Sequence, residues 1–285
     1  MDKSTEHAFE MPRRAFVTTL VAGFTLAAGP VRAEAIVTNA TGLDAGPVDV
    51  TVADGRIPAY RARPAGKANL PVVLVVQEVF GVHEHIKDLC RRLAHAGYYA
   101  IAPSLYARQG DPGKYDLAHV GDLLKDIVAK VPDAEVMSDI DSAVAFARGE
   151  GADTARLAVT GFCWGGRIVW LYAAHNHAVK AGVAWYGPLA GTDNDLRPHT
   201  AIELAPQIKA PVLGLYAGLD ENIHQADIDA MTAALKASGN TASHIDVFTD
   251  AQHGFNADYR PSYNEKDAKE GWARMLAWFR TNGVG

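Results

Sequence analysis

The stretch Leu157–Ile168, LAVTGFCWGGRI, joins a short apolar run to a helical pattern through a turn that holds three glycines and one cysteine. Leu157–Thr160 reads as a strand, and the helix runs from Gly165 to about Ala174. Between them, Gly161-Phe162-Cys163-Trp164-Gly165 has the form Gly-x-nucleophile-x-Gly. Glycines stand two residues either side of the nucleophile because a tight strand-to-helix turn leaves no room there for side chains. Such an elbow presents the Cys163 side chain at the carboxyl end of a strand and at a helix N-terminus, where the dipole favours negative charge. A buried cysteine in a glycine-rich turn is the alternative, and the rest of the chain decides between the two.

On either side, β-rich runs alternate with helical patterns. Val48–Val52 and Ala59–Ala62 read as an opening hairpin around Asp54-Gly55. Val72–Val76 (VVLVV) is the continuous apolar run of a parallel strand buried on both faces. A helix from Glu84 to Ala94, a strand over Tyr98–Ala102, a helix over 115–130 and another from Pro132 to Arg148 precede the elbow. After it come strands Ala181–Trp185, Val212–Ala217 and His244–Phe248, with helices Ile223–Ala237 and Tyr263–Arg280. The segment from Gly187 to Pro206 is irregular. This alternation specifies one α/β domain with a mostly parallel central sheet and helices on both faces.

An acid and a histidine follow the cysteine in the order nucleophile, acid, base. Asp220 comes just after Val212–Ala217, and His253 just after His244–Phe248. Both therefore lie at carboxyl ends of strands, the edge where such sheets place ligands. His175 and His177 fall beyond the elbow helix. His83 and His85 stand two apart at the start of another helix, a spacing that points rings apart on a helix and argues against a metal site. The acidic run Asp193–Asp195 reads as a solvated turn. Cys90 falls on the apolar face Ile86, Leu89, Leu93 and reads as a small core residue, although two cysteines in all allow one disulfide by count.

The 285 residues are 48% hydrophobic and 21% charged, which excludes global disorder. A net charge of −6 with no basic cluster argues against nucleic acid as a partner. Arg13-Arg14 precedes an uncharged apolar run, Ala15–Ala28, and then Val31-Arg32-Ala33. The run is too short to cross a bilayer but fits the core of an export signal with small residues before its cleavage site. The paired arginines resemble a twin-arginine signal; an ordinary secretory signal with a basic n-region is the alternative. The expectation is a leader over residues 1–33, a mature domain over 34–285 with no membrane anchor, passage through the twin-arginine export machinery, and a periplasmic or secreted location.

Four motifs in order give the chain a specific resemblance to the dienelactone hydrolase family of α/β-hydrolases, over about residues 45 to 280. They are Gln77-Glu78-Val79-Phe80-Gly81, Gly161-Phe162-Cys163-Trp164-Gly165-Gly166, Gly218-Leu219-Asp220 and His253-Gly254-Phe255; Pro103-Ser104-Leu105-Tyr106-Ala107-Arg108 also resembles the family. The resemblance implies an α/β-hydrolase fold and hydrolysis of a small ester or lactone, including carboxylate-bearing ones, with no metal or organic cofactor. It implies a Cys163–His253–Asp220 triad, an acyl-cysteine intermediate, and backbone N–H groups of Trp164 and Val79 as the oxyanion hole. It also implies that Glu78 takes the cysteine's proton when substrate enters. Partial burial at the end of an apolar strand is expected to raise the Glu78 pKa toward a useful base; a structural carboxylate bonded to Arg108 or Arg260 is the alternative. Tyr106, Arg108 and Arg260 are the candidate substrate-binding residues.

Two departures stand out. The family's arginine four residues after the histidine is replaced by Ala257, the nearest arginine being Arg260, and Trp164 occupies a position where a smaller aliphatic residue is usual. A catalytically silent binding protein and a thiol redox protein are the rival readings. The intact triad argues against the first and the core placement of Cys90 against the second.

Overall fold

The computed structural model describes residues 35–191 and 194–285, so the leader expected over 1–33 and residue 193 of the acidic turn lie outside the described residues. Eight strands of the described residues form one sheet: β1 (Leu43–Val52), β2 (Gly55–Pro64), β3 (Pro71–Val76), β4 (Tyr99–Pro103), β5 (Asp153–Phe162), β6 (Val179–Trp185), β7 (Val212–Ala217) and β8 (His244–Phe248). Their spatial order is β1-β2-β4-β3-β5-β6-β7-β8. The β1–β2 hairpin and the β2–β4 pair are antiparallel, and every other pairing is parallel. All six residues of β3 and of β7 are buried, as their unbroken apolar runs require.

Among the described residues, seven α-helices follow in chain order: α1 (Glu84–His95), α2 (Val120–Asp126), α3 (Asp133–Gly149), α4 (Trp164–His175), α5 (Ala201–Leu204), α6 (Gln225–Ala237) and α7 (Glu265–Thr281). They cover the sheet on both sides. Helix α4 begins at the elbow, packs against β5 and β6, and is buried almost all round. Helix α7 lies against β6 and β7 and carries Gly271 in its interior, where glycine costs about 1 kcal/mol relative to alanine. The reason is Trp185: a Cβ at position 271 would stand 2.6 Å from its ring. None of the described helices is long and apolar enough to cross a membrane.

Three expectations are corrected. The helix expected over 115–130 is broken into two 3₁₀ turns, Leu117–His119 and Val128–Lys130, flanking α2. The Asp116 side chain accepts from the N–H groups of Ala118 and His119 and starts the first turn locally. The irregular 187–206 segment contains α5, opened by a reciprocal Thr200–Glu203 capping box. His83 lies outside the helix as the extended N-cap of α1, so helical spacing does not apply, and its ring stacks with that of His85 at 6.1 Å.

Candidate active site

The elbow is built by close backbone approach. Cys163 has φ 55° and ψ −119°, a conformation that L-residues avoid unless their surroundings enforce it. A Cβ at Gly165 would lie 2.5 Å from the carbonyl oxygens of both Val76 and Gln77, and one at Gly161 would lie 2.3 Å from the Gly165 carbonyl. The glycines let the end of β3 press against the start of α4. The Cys163 N–H donates to the Trp185 carbonyl at 3.0 Å, tying the turn to the end of β6 as well.

His253 and Asp220 reach the cysteine from the ends of β8 and β7. The His253 Nδ1–H donates to Asp220 Oδ2 at 2.7 Å. The other carboxylate oxygen of Asp220 accepts from the N–H groups of Asn222 at 2.9 Å and Ile223 at 3.2 Å, so the acid cannot rotate away. Burial pushes the Asp220 carboxyl up, but the His253 charge and these hydrogen bonds outweigh it and hold it below the usual range. The Cys163 sulfur lies close enough to His253 to act on the charge of the imidazole. Burial alone would lower its pKa, yet the Asp220 carboxylate and the Cys163 sulfur raise it to about 10.

That shift has a pH consequence. The folded pKa of about 10 exceeds the ordinary value of 6.5, so the protonated His253–Asp220 pair stabilises the fold fully below pH about 6.5. The contribution is lost progressively as the pH rises toward about 10. Urea unfolding across this window should show stability declining, with a flatter decline in Asp220→Asn. Equal slopes in both proteins would contradict the coupling.

Glu78 lies in a second polar cluster beside the triad. It is fully buried, where partial burial was expected. Its Oε2 accepts from the Tyr259 hydroxyl at 2.5 Å and lies 3.2 Å from His83 Nε2, while Oε1 stands 3.5 Å from Arg260 Nη2. Burial pushes the carboxyl up, but the Arg260 charge and the His83 hydrogen bond hold it well below the carboxylate range. The expected upward shift is therefore reversed, because a buried guanidinium faces the carboxylate. Burial drives the Tyr259 phenol far up, which keeps it a neutral donor to Glu78. It accepts in turn from Arg260 Nε at 3.0 Å.

A cleft of about 110 Å³ opens on this site, lined among others by Val79, Cys163, Trp164 and Leu124. Trp164 is the first residue of α4, so its backbone N–H has no carbonyl one turn back to donate to. Val79 follows Glu78 directly and shares the cleft. The Trp164 ring packs edge-on against the buried Tyr106 at 4.9 Å.

Arg108 is placed differently from the expectation. Its guanidinium donates to Asp54 at 2.5 and 2.7 Å and to Asp139 at 2.7 and 3.1 Å, and the residue does not line the cleft. Arg260 is fully buried against Glu78 and Tyr259. Both cysteines are unbridged, and Cys90 is a buried residue of α1 whose thiol burial pushes far up. Among the described residues, no group of three or more His, Cys, Asp or Glu is placed to hold a metal ion.

The sequence names neither Tyr259 nor Tyr186 as a site residue, and it offers His83 only as a metal ligand. Tyr259 adjoins Arg260 and His83 follows the Gln-Glu motif by five positions, so only their side-chain directions were hidden. Tyr186 follows the end of β6, where the rule about strand ends could have flagged it. Its ring stands edge-on to His253 at 5.1 Å.

A strand-to-helix cysteine elbow, an acid and a histidine on successive strand ends, and a cleft over the sheet's carboxyl edge together define an α/β-hydrolase. The family model described as the dienelactone hydrolase family matches residues 57–283, and the chain belongs to that family. Over 274 residues it is 57% identical to a "Putative carboxymethylenebutenolidase" of Methylorubrum extorquens, covering 95% of this chain and 93% of that protein. It is 50% identical to a protein of the same name from Escherichia coli O157:H7, with 93% and 97% covered. The crystal structure of a "Putative Dienelactone Hydrolase" from Klebsiella pneumoniae superposes with a TM-score of 0.80 at 52% identity, covering 84% of this chain and 98% of the other.

Proposed function

We propose that this hydrolase cleaves small carboxylic esters or lactones through an acyl-cysteine intermediate on Cys163. The observation that carries the reading is the His253 imidazole, held by Asp220 at 2.7 Å at the elbow and close enough to Cys163 for the sulfur to act on its charge. Cys163 gives up its thiol proton and its sulfur attacks the carbonyl carbon. The Trp164 and Val79 N–H groups hold the resulting oxyanion. The bond to the leaving oxygen breaks, that oxygen takes the proton held by His253, and the acyl group remains on sulfur. The imidazole, neutral once it has given its proton to the leaving oxygen, takes a proton from water, which attacks the thioester and releases the acid; the proton first taken from the thiol returns to the Cys163 sulfur.

In this scheme Glu78 accepts the thiol proton, for which the entering substrate must weaken the hold of Arg260 on the carboxylate. A second reading is favoured by the nearness of the Cys163 sulfur to His253, which raises the pKa of the imidazole: the imidazole alone holds the thiol proton, and Glu78 serves to hold Arg260 and Tyr259 in place. Turnover of p-nitrophenyl esters, simple lactones and dienelactones by the purified protein tests the function. Hydrolysis of none of them contradicts it.

We also propose export through the twin-arginine route to the periplasm or beyond, on the strength of Arg13-Arg14, the apolar run and Val31-Arg32-Ala33. Replacing both arginines by lysine should leave the precursor in the cytoplasm. Unaffected export would count against that route.

A further inference from the structure

His83 turns its imidazole toward Glu78 rather than onto the helix it opens. The chain folds back directly after Glu78, where the Gly81 N–H donates to the Glu78 carbonyl at 3.1 Å. Gly81 has φ 77°, and a Cβ there would stand 2.5 Å from Pro112, so the turn has no room for a side chain. The turn brings His83 back to the carboxylate as the extended N-cap of α1. Side chains at that position ordinarily accept from helix N–H groups, but the His83 ring caps none. Its Nε2 lies instead 3.2 Å from Glu78 Oε2. Burial, over the opposing pull of Glu78, pushes the imidazole below its ordinary pKa. The neutral ring therefore donates through Nε2–H to the ionised carboxylate.

The ring is held on two sides. It stands edge-on to Tyr259 at 4.9 Å and stacks with His85 at 6.1 Å. His85 is fixed in turn: its Nδ1 lies 3.1 Å from Asp258 Oδ1, and Asp258 Oδ2 accepts from Arg92 Nη2 at 2.8 Å. The two oxygens of Glu78 then differ. Oε2 accepts from both His83 and the Tyr259 hydroxyl, while Oε1 accepts no hydrogen bond from the described residues. Oε1 faces Arg260 Nη2 at 3.5 Å, well beyond the roughly 2.7–2.9 Å of a charge-assisted hydrogen bond. The guanidinium lies over the rings of Phe80 and Tyr259, 5.5 and 5.4 Å from their centroids. The carboxylate thus stands off the arginine that faces it, held by two donors on its other oxygen.

We propose that His83 is a positioning residue for acylation: with Tyr259 it fixes Glu78 Oε2, holds the carboxylate off Arg260 and leaves Oε1 to take the Cys163 proton. The proposal rests on the reading in which Glu78 accepts that proton. It adds which oxygen is used and what keeps that oxygen available. The S–H bond breaks with its electron pair left on sulfur, and the hydrogen bonds to Oε1. Oε2 keeps both donors throughout, and the proton returns to sulfur once the thioester is hydrolysed. Without the His83 donor the carboxylate turns toward Arg260 and closes an ion pair through Oε1, which withdraws the acceptor from the thiol.

The test reads the acylation rate, as the first burst of p-nitrophenol from a p-nitrophenyl ester, in the unaltered protein and in His83 and Glu78 variants. His83→Phe keeps a ring against Tyr259 and His85 but has no donor. It should slow acylation by about 10–100-fold, the worth of one hydrogen bond to a charged group. His83→Gln puts an amide N–H near the place of Nε2 and should restore the rate to within a few-fold. His83→Phe combined with Glu78→Gln should be no slower than Glu78→Gln alone, because the histidine acts through the carboxylate. A His83→Phe variant that acylates at the unaltered rate overturns the proposal, as does a His83→Gln variant as slow as His83→Phe. So does a double variant slowed by the full product of the two single effects. In each of these cases slow acylation by Glu78→Gln leaves the role of the glutamate standing. Acylation at the unaltered rate in Glu78→Gln removes that role, and the proposal with it.

Discussion

Replacing Cys163 by alanine should lower ester hydrolysis by about 10⁴-fold or more, because it removes the atom to which the acyl group bonds. The fold should persist, since the strained elbow is held by glycine contacts with Val76 and Gln77 rather than by the sulfur. Cys90→Ala supplies the contrast. Cys90 is fully buried on α1, away from the strand ends, so its loss should cost stability of about 1–2 kcal/mol and leave turnover within a few-fold. Steady-state kinetics with a p-nitrophenyl ester and urea unfolding of both variants check the pair. Turnover surviving in Cys163→Ala would end the mechanism.

Glu78→Gln should have the second-largest effect, and two physical consequences must be separated. If Glu78 accepts the thiol proton, acylation slows by roughly 10²–10⁴-fold, the usual worth of a general base. The same substitution leaves the fully buried Arg260 without its countercharge, and breaking a buried pair costs about 3–5 kcal/mol. Thermal unfolding reads the second consequence. The first is read from the rate at which acyl adduct forms, by mass spectrometry after brief exposure to an aryl ester, in Glu78→Gln and in His253→Gln. Adduct accumulating on His253→Gln but not on Glu78→Gln identifies Glu78 as the acceptor in acylation and His253 as the base in deacylation. The reverse pattern assigns both steps to His253.

Much of this site was legible before any coordinates because its chemistry sits immediately after apolar runs. Cys163, Asp220 and His253 each follow a strand that its composition announces, and parallel strands bring their carboxyl ends to one edge. The hairpin, with Val52 opposite Gly55, and strands β7 and β8 also lie where their residues indicated. What escaped depends on partners distant in sequence. Arg108 pairs with Asp54 and Asp139, and Glu78 with Tyr259, separations that leave no local signature. The sign of the Glu78 shift turned on Arg260 facing it, which the strand-end position could not reveal. The Thr200–Glu203 capping box is different: its Thr-x-x-Glu spacing was readable inside a segment whose glycines and prolines drew attention away.

The account stands on a covalent bond between substrate and one sulfur. Its most direct test is peptide mass spectrometry of His253→Gln quenched shortly after mixing with a p-nitrophenyl ester. The account predicts an acyl group on the peptide that contains Cys163, formed in step with the release of p-nitrophenol. Release of p-nitrophenol with no adduct on that peptide, or with the acyl group on another residue, would contradict it.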